Sequence, residues 1–195
     1  MAYIQMYESY IELCGRQDHF LELNDLERRC HIATMKTFHV PSDKNLLAVF
    51  GEVSLRHEHL NYILRMTIKT LANLQREEAI DATAYNGSYQ LRERIRKLGR
   101  QRLGEGEPLL KLEALIERCR RATDKRNELM HGIWAKELDG EILRRDKDHS
   151  WHQLPTIDEL QVLANELKQL METLNEARLD GFLSEALAKR SRDLP

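Results

Sequence analysis

One stripe of apolar side chains does most to limit what this chain can fold into. Leu46, Phe50, Val53, His57, Leu60, Leu64, Thr67, Leu71 and Leu74 follow one another at alternating spacings of four and three residues. A strand repeats every two residues and cannot hold that pattern on one face, whereas a helix can. A helix with so long an apolar stripe must bury it against other helices. The spacing therefore predicts a long helix over 44–78 and a helical bundle around it.

The remaining segments fit such a bundle. Ile4, Tyr7, Ile11 and Cys14 share one helical face, and Gly15 is placed to end that helix; a second, less regular helical stretch covers roughly 20–38. Pro41-Ser42-Asp43 reads as a break followed by an N-cap. Tyr85-Asn86-Gly87-Ser88 is a turn, and a short basic helix runs from it to about Leu103. Gly104-Glu105-Gly106-Glu107-Pro108 interrupts it, with Pro108 suited to the first turn of the next helix. There Leu109, Leu112, Ile116, Cys119, Thr123, Arg126 and Met130 form the inward stripe. After Gly132 the period shortens, and 133–145 reads as a hairpin turning at Asp139-Gly140. Thr156 and Glu159 form a capping box opening a helix with Leu160, Leu163, Leu167, Leu170 and Leu174. A last short helix near Gly181 carries Phe182, Leu183 and Leu187. The expected class is all-α: an up-down bundle with one small β-hairpin after the helix that ends at His131, forming one domain over 1–195.

Several function classes are set aside by composition. No apolar run approaches the ~20 residues of a membrane span, and the first residues lack the basic-then-apolar order of a secretory signal. Three scattered cysteines, Cys14, Cys30 and Cys119, with no CxxC pair, fit reduced packing residues in a cytoplasmic protein and no structural zinc site. Asp146, Asp148, His149 and His152 fall in a polar connection with no spacing that would converge them on a metal, so neither a metal nor another cofactor is expected. The net charge of −2 is uneven: residues 88–131 hold 12 basic and 7 acidic side chains. Such a segment either is a solvated helix face or steers a polyanion.

The chemistry is concentrated in Lys125-Arg126-Asn127-Glu128-Leu129-Met130-His131-Gly132. An Arg-to-His spacing means little by itself, since Arg144 to His149 repeats it. Its setting means more. Arg126 lies on the packed stripe, where a charge must be paired or serve a ligand. Asn127 and His131 are i and i+4 and share a face. Gly132 suits the left-handed residue after a helix, which would leave His131 in the last turn, where the dipole favours imidazolium. An arginine can grip a phosphate with two parallel hydrogen bonds, and a histidine can move a proton beside it. The competing reading makes His131 a helix-end cap and Arg126 an internal ion-pair partner. His57, on the long seam, reads either as a satisfied core histidine or as part of a site.

Arg126-Asn127-x3-His131-Gly132, at the end of a late helix in an all-α array, resembles the signature of the HEPN superfamily of nucleotide-binding domains. The similar part spans roughly 44–178; residues 1–40 form an N-terminal extension outside it. The resemblance implies a metal-independent endoribonuclease or RNA-binding protein of toxin–antitoxin or phage-defence type, working as a homodimer whose two motifs share a cleft. It implies Arg126 on the scissile phosphate, His131 as general acid/base and Asn127 orienting them. Arg118, Arg121 and Lys125 become candidate contacts to the RNA backbone. An acidic residue on an earlier helix, Glu52 or Glu58, could assist. A cognate antitoxin or a separate nucleotidyltransferase would be a possible partner. The alternative is a non-catalytic dimerisation module in which the same residues hold the interface.

Overall fold

In a computed structural model of the chain, residues 37–136, 140–145 and 150–193 are described. Their elements run β1 (Thr37–Phe38), α1 (Lys44–Ala72), α2 (Arg76–Asp81), α3 (Ser88–Leu103), α4 (Glu107–His131), β2 (Ile133–Lys136), β3 (Ile142–Arg145), β4 (Trp151–Gln153), α5 (Ile157–Leu179) and α6 (Phe182–Asp193). The expected helix at 4–14 and most of that at 20–38 lie outside the described residues. Thr37 and Phe38, the end of the second, are strand instead.

α1 is the spine. Asp43 caps it, its Oδ1 accepting from Asn45 N at 2.8 Å and Leu46 N at 3.2 Å. Most of the seam is buried: Leu46, Val53, His57, Leu60, Leu64, Thr67 and Leu71 are at most 8% exposed. The expected helix to residue 78 stops at Ala72, however. Asn73 takes a left-handed conformation (φ 55°, ψ 46°) and its N–H turns back to Lys69 O and Thr70 O. Apolar spacing carries no information about such a stop; asparagine tolerates it through its short polar side chain.

α3, α4 and α5 cover the spine, α5 and α3 most extensively. The core forms two clusters. Leu64, Ile68 and Leu71 meet Leu91, Ile95, Leu112, Ile116 and Leu174, with Leu183 of α6 closing that end. Towards the N-terminus of α1, Leu46, Val53 and Leu60 meet Cys119, Ala122, Leu160, Leu167 and Leu170. Gly99 admits close contact between α3 and α4, because a Cβ there would lie 2.9 Å from Leu112 Cδ2. The seam is thus covered by the chain's own helices, and its length does not call for a second copy. The all-α bundle with a small sheet is as the sequence indicates.

The sheet is larger than the expected hairpin. β2 and β3 pair antiparallel, Ile133 opposite Arg145 and Lys136 opposite Ile142; residues 137–139 of the turn lie outside the described ones. β1 adds to β2, and β4 adds to β3, giving the order β1-β2-β3-β4. Trp134 meets Phe50 of α1 edge-to-face at 5.1 Å. The capping box of α5 is present, with Thr156 N donating to Glu159 Oε2 at 2.8 Å and Glu159 N to Thr156 Oγ1 at 3.2 Å.

Candidate functional site

α4 ends at His131 as the sequence indicates, but not through a left-handed glycine. Gly132 is extended (φ −69°, ψ 141°) and leads directly into β2. The reason for glycine is space. A Cβ there would fall 2.7 Å from Arg144 Cγ. Arg144 of β3 lies over the helix end and donates from Nη1 to Glu128 O at 2.8 Å. A strand cation therefore satisfies a terminal carbonyl that a left-handed cap would otherwise serve.

Arg126 and His131 do not share a face. Five residues at 100° each place them about 140° apart around the helix. His131 is exposed. Arg126 is half-buried, and its Nη1 donates to Asn127 Oδ1 at 3.2 Å. Its Nε is buried with no acceptor, and among the described residues no carboxylate pairs with it. Arg126 is thus neither an internal ion-pair member nor fully satisfied.

The titratable group associated with Arg126 is His57 of α1. It is 3% exposed, with Nε2 3.4 Å from Ser88 Oγ at the start of α3. Ser88 Oγ donates to Asn61 Oδ1 at 2.7 Å. His57 Nδ1 lies 3.5 Å from Glu58 Oε1, within ion-pair range but outside hydrogen-bond geometry. Burial, first, and the Arg126 guanidinium, second, hold the imidazole below its usual pKa, with Arg92 acting the same way and Glu58 opposing. Arg92 of α3 is 4% exposed. Its Nη1 is 3.4 Å from Thr123 Oγ1, its Nε has no acceptor, and burial chiefly lowers its pKa. Thr123 Oγ1 donates to Cys119 O at 2.8 Å. So His57 is a buried histidine with Ser88 at Nε2 and the Glu58 carboxylate beside Nδ1, and the geometry leaves both readings of it open.

The other expected residues are placed separately. Arg118 is half-buried and Arg121 exposed. Lys125 Nζ lies 3.6 Å from Glu166 Oε2 of α5. Lys125 lines a cleft of about 490 Å³ between the α4 end, the sheet and α5; with Arg144 it faces Glu128, Glu159 and Glu166 there. That cleft has mixed charge. Of the two candidate acids, Glu52 is engaged by Arg56 one turn along α1, whereas Glu58 adjoins His57. Cys119 is a buried free thiol whose pKa burial pushes up to about 12. Asp146, Asp148 and His149 lie outside the described residues. No described helix is long and apolar enough to cross a membrane.

Sequence reasoning missed Arg92 and Ser88. Their only signal was position: Ser88 opens a helix, and Arg92 falls one turn later on the face that carries Leu91 and Ile95 inward. No family model, curated protein or solved structure matches this chain.

Proposed function

We propose that the protein is a HEPN-like, metal-independent endoribonuclease acting as a homodimer. One observation carries the reading: Arg126 sits half-buried at the end of α4 with a buried Nε lacking any acceptor and no carboxylate partner among the described residues. An uncompensated buried charge is costly, so Arg126 calls for an acceptor from outside its own chain. A phosphate supplies what Arg126 lacks. His131, exposed one turn further along, is free to meet a substrate.

The roughly 140° between the two helical positions favours two copies, since Arg126 and His131 leave the helix in different directions. A two-fold cleft would place His131 of one protomer beside Arg126 of the other. There His131 takes the proton of the RNA 2′-hydroxyl as that oxygen attacks the adjacent phosphorus, and returns it to the 5′-oxygen as the bond from phosphorus to that oxygen breaks. The products are a 2′,3′-cyclic phosphate and a free 5′-hydroxyl. Arg118, Arg121 and Lys125 would contact the flanking backbone, and Asn127 holds Arg126.

The test is cleavage of single-stranded RNA in excess EDTA, with the new ends identified by mass spectrometry. The reading expects cleavage with cyclic-phosphate ends. Activity lost to EDTA and restored by magnesium would overturn it, since the chemistry proposed uses protein groups alone.

A further inference from the structure

We propose that His57, Arg92 and Arg126, together with the N-terminus of α3 at Ser88, form an oxyanion site that takes a phosphate group. The inference rests on Arg126 being a ligand residue, as above, but requires no RNA cleavage.

Three elements contribute groups capable of positive charge: His57 from α1, Arg92 from α3 and Arg126 from α4. Contacts link them: His57 Nε2 is 3.4 Å from Ser88 Oγ, one turn before Arg92, and Arg92 Nη1 is 3.4 Å from Thr123 Oγ1, one turn before Arg126. The carboxylates nearby do not balance them. Glu58 is 66% exposed and only approaches Nδ1; Asp124 is engaged by Arg120 Nη1 at 2.5 Å. Nε of both arginines and Nδ1 of His57 are buried with no hydrogen-bond partner. Buried polar groups in folded proteins are nearly always paired, so two orphaned arginine donors, the Nε of Arg92 and of Arg126, point to a missing acceptor. Guanidinium groups offer donors only, which excludes a metal ion and selects an anion. The start of α3 adds its own field. Its N-cap is Gly87, which has no side chain to cap the first turn, and helix N-termini favour negative charge.

The proton network agrees with this assignment. Because Ser88 Oγ gives its hydrogen to Asn61, it can only accept from His57, which puts a hydrogen on Nε2. Nδ1 is then a bare acceptor in the neutral ring and becomes a donor only in the imidazolium. An anion reaching Nδ1 therefore brings a proton with it, favoured by Glu58 and resisted by Arg92 and Arg126. Arg126, the half-buried member, is the one that solvent reaches.

The test follows the His57 Cε1–H resonance of the full chain by NMR while inorganic phosphate is added, with His57→Gln for assignment. The proposal expects a saturable shift, and a His57 titration midpoint that moves to higher pH when phosphate is bound. Arg92→Met should weaken phosphate binding about tenfold or more, the equivalent of one charged hydrogen bond. Lys97→Ala, exposed on the same helix, should leave it within about twofold, as a surface change does. Arg92→Lys keeps the charge but loses the fork and should fall between. A parallel titration with a 5′-phosphorylated RNA pentamer separates the sources. Displacement of phosphate by the pentamer assigns the site to nucleic acid, and saturation by inorganic phosphate alone assigns it to a small anion. An unmoved His57 resonance in the wild-type chain at tens of millimolar phosphate, or undiminished binding by Arg92→Met, overturns the proposal. Wild-type protein that binds phosphate yet cleaves no RNA would instead retain this site and remove the ribonuclease reading.

Discussion

Arg92→Met should make the protein more stable while removing a ligand contact. In the unliganded chain, the buried Nε of Arg92 has no acceptor. Leaving a buried polar donor unmade costs about 1–3 kcal/mol, and more when it is charged. What Arg92 gives in return is one long hydrogen bond, 3.4 Å, to Thr123, worth about 0.5–1 kcal/mol. Removing it orphans nothing, because Thr123 still donates to Cys119 O at 2.8 Å. Methionine keeps most of the apolar stem and fills irregular space. The balance is a gain of about 1–2 kcal/mol, comparable to gains seen when buried ions are replaced by well-packed apolar groups. For a chain of 195 residues, that corresponds to a melting temperature raised by roughly 2–8 °C. Urea unfolding in phosphate-free, low-salt buffer measures it. A loss of more than about 1 kcal/mol would refute the reasoning and make Arg92 a structural residue.

Further outcomes follow from the same geometry. Stability should fall with pH between about 6.5 and the lowered folded-state pKa of His57, then level off. The folded-state pKa is depressed, chiefly by burial and then by Arg126, so the unfolded chain binds the proton first and acid favours unfolding. His57→Gln should flatten that slope in pH-dependent melts; an unchanged slope would show that His57 does not set it. Gly99→Ala, whose Cβ would meet Leu112 Cδ2 at 2.9 Å, should cost about 1–3 kcal/mol by overpacking the α3–α4 contact, and equal melting temperatures would contradict that packing. Asp43→Ala should cost about 1 kcal/mol through loss of the α1 N-cap, read in the same melts.

The bundle was legible because its signals are local and redundant. The α1 seam, the Asp43 cap, the Thr156–Glu159 box and Pro108 in the first turn of α4 are each set by neighbours in sequence. What was not legible depends on tertiary placement. The left-handed stop at Asn73 interrupts an apolar pattern that continues past it. β1 and β4 are two and three residues long, too short for any period, and form only because β2 and β3 offer edges. Gly132 was assigned a backbone role when its role is to make room for Arg144, a residue of another strand. The site divides in the same way. The sequence placed Arg126 on a packed face and His131 at a helix end, and the structure has them so. Helical spacing alone implies that the two diverge by about 140°. That His57, Arg92 and Ser88 gather beside Arg126 depends on α3 starting opposite the middle of α1, which no local signal encodes.

The most direct test of the central claim mixes two inactive variants. Arg126→Ala and His131→Ala should each lower RNA cleavage by about 10²–10⁴-fold, the range for losing a group that acts on the reacting atoms. In a two-fold dimer that pairs Arg126 of one chain with His131 of the other, random exchange of the two variants leaves about one site in four intact. Unfolding and refolding the variants together should therefore restore roughly a quarter of the wild-type rate, with fluorescence melts confirming that both are folded. No recovery on mixing, or a His131→Ala protein that still cleaves at the wild-type rate, would contradict the shared site.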